Sequence, residues 1–219
     1  PKAVPAAAVV VVVGPWFVDG EGKPDFGWMD SATRDIGANL TAGTLVSYET
    51  TLPVGTTRER WTPMLEKGSG LKEGSDFHVV FSPERVLTGR VFADLRKYPK
   101  LIGGLSAAGA KLATESYEAV LDFDDRPDLD RANGVWDLGS AEASELAKLA
   151  ETTYRDVNIG LANQFAVFAA SHSIDIYQVI AASNHQPYSP FPLPGNPRPP
   201  PRTPTYPRPP HPPDPSATL

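Results

Sequence analysis

The chain has 219 residues with 41% apolar content, enough for one substantial core or two small ones, so most of it is expected to fold. A formal net charge of −6 gives no global attraction to phosphate backbones or anionic membranes, so no nucleic acid and no membrane are expected as partners and a small metabolite is. There is no cysteine, which removes disulfides and thiol nucleophiles, and the four histidines (His78, His172, His185, His211) are too scattered for a metal pair, so no metal is expected.

At the start, Lys2 and the apolar stretch from Ala3 to Val13 have the charge order of a signal peptide. The β-branched run Val9 to Val13 favours a strand instead, and Gly14, Pro15, Trp16 and Phe17 supply no small-residue cleavage site. Without methionine at position 1, Pro1 is not expected to be the biological start, and no apolar run reaches the roughly 18–20 residues that cross a bilayer. Apolar on both faces, Val9 to Val13 reads as a central parallel strand covered by helices on either side.

A helix is predicted over Phe26 to Leu40, with Asp25 as its cap, and a second strand over Thr44 to Tyr48 after the break at Gly43. A turn at Pro53 to Gly55, a helix over Thr57 to Lys67, a loop rich in glycine (Gly68, Gly70, Gly74) and a third strand at His78 to Phe81 follow. A fourth strand near Lys100 to Ile102 and a helix from Ser106 to Leu121 complete a predicted parallel α/β sheet, which then ends. Asp122 to Asp130 has the composition of a calcium loop but lacks glycine at its sixth position, so a solvated loop is expected.

After Val135 to Leu138, a long helical region runs from Ser140 to Ser183, with a break near Ser171 to Ser173. Leu146, Leu149, Val157, Leu161, Phe165 and Phe168 recur at three- and four-residue steps and multiples of them and mark one apolar face, expected to bridge domains or pack on a partner. Because 15 of the 24 prolines fall between Pro187 and Pro215, the tail from Gln186 is expected to be disordered or polyproline-like. Its PxxP repeats with Arg198, Arg202 and Arg208 match ligands of aromatic grooves of the SH3 type, a match that composition alone also produces.

Two segments sit where a predicted strand ends, the edge at which α/β sheets bind nucleotides. In Ser47 to Thr57, hydroxyls and helix N-terminal amides can hold phosphate or ribose, or simply form caps and turns. In Phe81 to Val86, Glu84 presents a carboxylate beside Arg85, which a loop ion pair would equally explain. Lys148 lies between Glu145 and Glu151, three residues from each, as helix-surface ion pairs do.

Taken together, these motifs resemble the UDP-glucose/GDP-mannose dehydrogenase family. They are Glu49-Thr50-Thr51 with Pro53 and Gly55-Thr56-Thr57; Ser82-Pro83-Glu84-Arg85-Val86-Leu87 with Gly89-Arg90; Ile102-Gly103-Gly104; and Glu145-Leu146-Ala147-Lys148-Leu149-Ala150-Glu151 leading into Thr153-Tyr154-Arg155-Asp156-Val157-Asn158-Ile159 and Ala162-Asn163. The nearest branch resembles enzymes that oxidise UDP-N-acetylmannosamine-type sugars. The resemblance implies an α/β fold: an incomplete Rossmann-like parallel sheet, a long central dimerisation helix and a disordered Pro-rich tail. It implies the C-terminal part of an NAD-binding domain at 1–139, a helical dimerisation region at 140–185 and the tail at 186–219.

The implied reaction is NAD-dependent two-step oxidation of a nucleotide-sugar C6 alcohol to a carboxylate through a thiohemiacetal on a cysteine, in a cytoplasmic homodimer. Pro15, Glu49 and Thr51 would line the NAD site, Glu84 would support water or proton movement, and Lys148 would stabilise the oxyanion at C6. Thr152 stands where the family often has asparagine, which alters a hydrogen bond to the active-site water or oxyanion. The family's Gly-x-Gly-x-x-Gly turn and its cysteine are absent from this sequence, so the chain alone is expected to show no turnover. The resemblance is expected to stop after about Ser189, as a shifted reading frame or a truncated gene would make it. A non-catalytic helical interaction module is the alternative.

Overall fold

The computed structural model describes residues 2–14, 17–186 and 190–195, and the chain divides into two compact units, Pro1–Ala150 and Glu151–Leu219. In the first unit, a 3₁₀ turn at Val4–Ala6 precedes β1 (Val9–Val12), the small hairpin β2 (Phe17–Val18) and β3 (Pro24–Asp25), then α1 (Gly27–Gly37) and β4 (Leu45–Tyr48). One π-helical turn, Thr57–Trp61, runs into α2 (Thr62–Ser69), followed by β5 (His78–Phe81), α3 (Val91–Lys97), β6 (Lys100–Gly104), α4 (Ala107–Val120) and β7 (Val135–Asp137). The helix α5 (Ala141–Ser171) begins in the first unit, and α6 (Ile176–Ser183) lies in the second.

The main sheet has the order β1-β4-β5-β6-β7. Successive side chains of its strands point to opposite faces. Val46, Tyr48, Val79 and Phe81 face a core with Met29 and Ile36 of α1 and Trp61 and Leu65. Leu45, Val80 and Ile102 face a second core with Ala113 and Tyr117 of α4. Helices therefore cover both faces of an α/β sheet. Tyr48 stacks at 4.4 Å on Trp61 and bonds Thr33 Oγ1 at 2.9 Å, and burial pushes its phenol well above the usual range.

Several expectations need correction. Among the described strands β1 is not central: it ends their order, and Val9, Val11 and Val13 are 38%, 49% and 67% exposed while Val12 is buried. A run of valines satisfies a strand with one covered face as readily as one with two. The sheet is not wholly parallel either, since β6 runs antiparallel to β5. The short α3 does not carry the chain back across the sheet, as a parallel crossover requires. Nor does the sheet end at α4, because β7 pairs in parallel with β6 through Lys100 to Ile102. Finally, Asp25 does not cap α1 as its N-cap residue; that position is Phe26, and Asp25 Oδ1 instead accepts from the Gly27 amide at 2.9 Å.

Gly68 belongs to α2 rather than to a loop, and a Cβ there would lie 2.9 Å from the Gly37 carbonyl carbon, so the absent side chain lets α1 and α2 meet. Gly103 has a similar role. A Cβ on it would lie 1.9 Å from the Ser140 carbonyl oxygen, where the chain enters α5. Gly103→Ala is expected to lower stability by about 2–3 kcal/mol, measured by urea unfolding, since backbone must move to admit the methyl.

In the second unit the break falls where the sequence placed it. α5 ends at Ser171, Ser173 takes a left-handed φ of 55°, and Asp175 caps α6 by accepting from the Tyr177 amide at 2.9 Å. Val157, Leu161, Phe165 and Phe168 of the predicted apolar face are 63%, 48%, 47% and 58% exposed, so most of that face is uncovered among the described residues. No helix among the described residues is long and apolar enough to cross a membrane, and no metal-binding cluster occurs among them. The predicted disordered tail lies largely outside the described residues; Pro190 to Gly195 are ordered against α5 and α6.

Candidate active site

The parallel strands β1, β4 and β5 end together, with Val12, Tyr48 and Phe81 in line across the edge. The loops leaving that edge are tied to one another. Thr50 Oγ1 donates to the Gly14 carbonyl and accepts from the Gly14 amide at 3.2 Å. The Glu49 amide donates to Val12 O, and Glu84 N donates to Glu49 O at 3.3 Å. Lys148 Nζ, reaching from α5, donates to the Glu84 carbonyl. Three motifs far apart in sequence thus meet at one edge.

The side chains are placed less uniformly than the motifs imply. The Glu84 carboxylate turns back to accept from the Val86 amide. The Glu49 carboxylate points inward: Lys100 Nζ lies 2.9 Å from Oε2, the Tyr117 hydroxyl donates to Oε1, and the ion-paired side chains are only 9% and 11% exposed. With its one hydrogen donated in the bond to Glu49, the Tyr117 oxygen accepts from Ser47 Oγ at 2.7 Å. Burial, reinforced by the Glu49 charge, pushes the Tyr117 phenol above its usual range and keeps it a neutral donor. Lys100 also sits 4.7 Å from the centre of the Tyr117 ring. β6 overlaps β5 only at Gly103 and Gly104, which leaves Lys100 beyond the end of β5 to meet Glu49.

The sequence also offered the helix amides after Gly55 as a phosphate site, and the protein fills them itself. Glu145 on α5, fully buried, accepts from the Gly55 amide at 2.6 Å, the Thr57 amide at 3.0 Å and Thr57 Oγ1 at 2.6 Å. The carboxylate occupies the positive end of the helix that begins at Thr57, where an external anion would otherwise sit. Burial pushes the Glu145 carboxyl's pKa above the ordinary glutamate value, against the pull of these donors. Arg58 and Glu142 form a more exposed ion pair beside it at 2.5 Å. Glu145 therefore faces the loop, and Lys148 reaches Glu84.

Thr51 is half-buried in the loop after β4, Thr152 lies in the second unit on the same helix as Lys148, and Pro15 is outside the described residues. An open depression of about 570 Å³ between Phe26, Val54 to Thr56 and Arg60 contains none of Glu49, Thr51, Glu84 or Lys148. Sequence reasoning missed Lys100 and Tyr117 and took Glu145 only as an ion partner for Lys148. The one available signal was a lysine opening an apolar strand, Lys100-Leu101-Ile102, where a charge needs a partner.

A largely parallel, helix-covered sheet whose strand-end loops gather hydroxyls, carboxylates and an ammonium is a Rossmann-like α/β nucleotide-binding protein. The NAD binding domain of the UDP-glucose/GDP-mannose dehydrogenase family matches residues 1–121, and the family's central domain matches residues 142–197. The chain belongs to the UDP-glucose/GDP-mannose dehydrogenase family. The central-domain match runs to residue 197, a few residues beyond the expected end near Ser189.

The UDP-N-acetyl-D-mannosamine dehydrogenase of Pyrococcus horikoshii is 37% identical over 172 residues, covering 78% of this chain and 38% of that protein. That of Escherichia coli K12 is 32% identical over 174 residues, covering 77% of this chain and 39% of that protein. Among solved structures, the Pyrococcus horikoshii UDP-D-ManNAc dehydrogenase superposes with a TM-score of 0.79 at 33% identity, over 89% of this chain and 43% of its own. The Staphylococcus aureus UDP-N-acetyl-mannosamine dehydrogenase Cap5O gives 0.74 at 27% identity, over 86% of this chain and 43% of its own. The chain thus spans about two fifths of the length of the curated relatives it matches.

Proposed function

We propose that this chain is the cofactor-side and central-helix portion of an NAD-dependent nucleotide-sugar dehydrogenase that oxidises a UDP-sugar C6 alcohol to the uronic acid, its similarity to UDP-N-acetyl-D-mannosamine dehydrogenases pointing to an N-acetylmannosamine sugar. The observation that carries the reading is the chain of bonds from Lys148 Nζ to the Glu84 carbonyl and from Glu84 N to Glu49 O at the strand-end edge. Thr51, partly exposed beside that edge, and Pro15 would contact NAD, which accepts hydride when bound. Glu49 would contribute by holding its loop through Lys100 and Tyr117 rather than by offering its carboxylate. Residues 1–139, 140–185 and 186–219 would serve as cofactor domain, dimerisation region and tail.

In this reading Lys148 supplies a fixed positive charge for an alkoxide developing at C6, held in place by its bond to Glu84 O. Glu84 holds a water or passes a proton. The sequence supplies no thiol for a covalent intermediate. Purified chain mixed with NAD and a UDP-sugar is therefore expected to give no NADH absorbance, and substrate-dependent NADH would reveal another nucleophile. In calorimetric titration, NAD heat is expected to fall in Thr51→Val and to be unchanged in Lys148→Met. Equal effects of the two changes, or no NAD heat at all, would remove the cofactor reading.

The exposed apolar face of α5 favours a second property, homodimerisation through the 140–185 region. Light scattering should give twice the chain mass, and Leu161→Glu with Phe168→Glu should halve it; a monomeric parent chain would leave that face unexplained. A cytoplasmic location fits an enzyme drawing on NAD and a nucleotide sugar.

A further inference from the structure

The second unit contains a feature that the cofactor site does not use and that borders the apolar face of α5 at Phe165. Residues 190–195, Pro-Phe-Pro-Leu-Pro-Gly, lie against α5 and α6, held by two asparagine side chains that each grip the backbone of one residue. Asn184, just after α6, donates from Nδ2 to the Phe191 carbonyl at 2.9 Å, and its Oδ1 accepts from the Phe191 amide at 2.6 Å. Asn163, on α5, donates to the Gly195 carbonyl at 2.7 Å and accepts from the Gly195 amide at 2.9 Å. Between the clamps, the Phe191 ring meets Phe165 edge-on with centroids 5.3 Å apart.

An asparagine amide is among the few side chains that present a donor and an acceptor together, which matches the N–H and C=O of one extended residue. Such a pair reads backbone and ignores side-chain identity. Three of the six residues are proline, which have no N–H to leave unsatisfied and whose fixed φ keeps the segment extended before it docks, so little order is lost on binding. The clamped positions, Phe191 and Gly195, both retain an N–H. Side-chain selectivity comes from one aromatic against Phe165 and from a depression of about 270 Å³ where Tyr154, Arg155 and Asn158 border Pro190 to Pro192.

We propose that α5 and α6 form a backbone-reading groove for an extended, proline-spaced peptide carrying one aromatic residue, and that residues 190–195 fill it as an intramolecular ligand. The groove is open to the same class of peptide in trans whenever this segment is displaced. Each clamp carries two hydrogen bonds, so loss of one is expected to weaken the seat by about tenfold.

Hydrogen exchange on the full chain tests the intramolecular seat. The Phe191 and Gly195 amides should exchange about tenfold or more slowly than that of Leu193, which neither asparagine grips; Asn184→Ala should release Phe191, and Asn163→Ala should release Gly195. Asn184→Asp, which keeps the acceptor and loses the donor, should give intermediate protection at Phe191 with the helices intact. The site in trans is probed with a fluorescent, end-blocked Pro-Phe-Pro-Leu-Pro-Gly peptide. It should bind the full chain carrying Phe191→Ala about tenfold more tightly than the unsubstituted chain, and Asn163→Ala with Asn184→Ala should abolish the gain. Exchange at Phe191 and Gly195 as fast as at Leu193, or peptide binding indifferent to the two asparagines, overturns the proposal.

Discussion

Lys100→Met is expected to destabilise the chain by about 3–5 kcal/mol, because it leaves the Glu49 carboxylate at the end of β4 without its counter-ion. The pair is nearly enclosed, at 9% and 11% side-chain exposure, and methionine keeps most of the apolar stem that packs near Tyr117, so lost packing does not dominate. The Tyr117 hydroxyl remains as a donor but carries no full charge. Glu49→Gln should cost less, and the double variant should be less destabilised than the sum of the two by about 2 kcal/mol. Urea unfolding of the four proteins closes the cycle. Additive losses would mean that Lys100 and Glu49 do not depend on each other.

Glu145→Ala is expected to cost about 3–4 kcal/mol, since the Gly55 amide, the Thr57 amide and the Thr57 hydroxyl would lose a buried charged acceptor together. Glu145→Gln should cost about half of that, because one oxygen survives while an NH₂ faces an amide donor. The pH dependence has a definite sign. Burial raises the folded carboxyl above its ordinary 4.5, so the folded chain holds the proton more firmly than the unfolded one. This contribution to stability is present below 4.5 and is lost as pH rises through the folded value. The stability gap between the parent and Glu145→Gln should therefore narrow as pH rises from 4.5. A widening gap would show that the three donors outweigh desolvation.

Glu145 also illustrates how far the candidate site could be read from residues alone. Its spacing from Lys148 permits a helix-surface ion pair, and nothing local distinguishes that from a long-range cap on a helix that starts 88 positions earlier. Lys148 itself was identifiable by its motif, but its partner, the Glu84 carbonyl, is a backbone atom with no sequence signature. Glu49 was identifiable as part of a strand-end motif, while the inward turn of its carboxylate depends on Lys100 and Tyr117, which come from a different strand and a different helix.

Local chemistry was sufficient wherever the determining contacts are close in the chain. A β-branched run placed β1, the break at Gly43 placed β4, Ser106 caps α4 by accepting from the Gly109 amide at 3.2 Å, and Asp175 restarts the helix after Ser171. The family motifs were likewise legible, because they are short strings of residue types. Tertiary structure decided which strand lies at the edge, that β6 opposes β5, which carboxylates face inward, and that two asparagines hold a proline-rich segment. Those outcomes depend on pairing and burial between groups tens of residues apart, and a residue's type sets what it can bond to without setting which partner arrives.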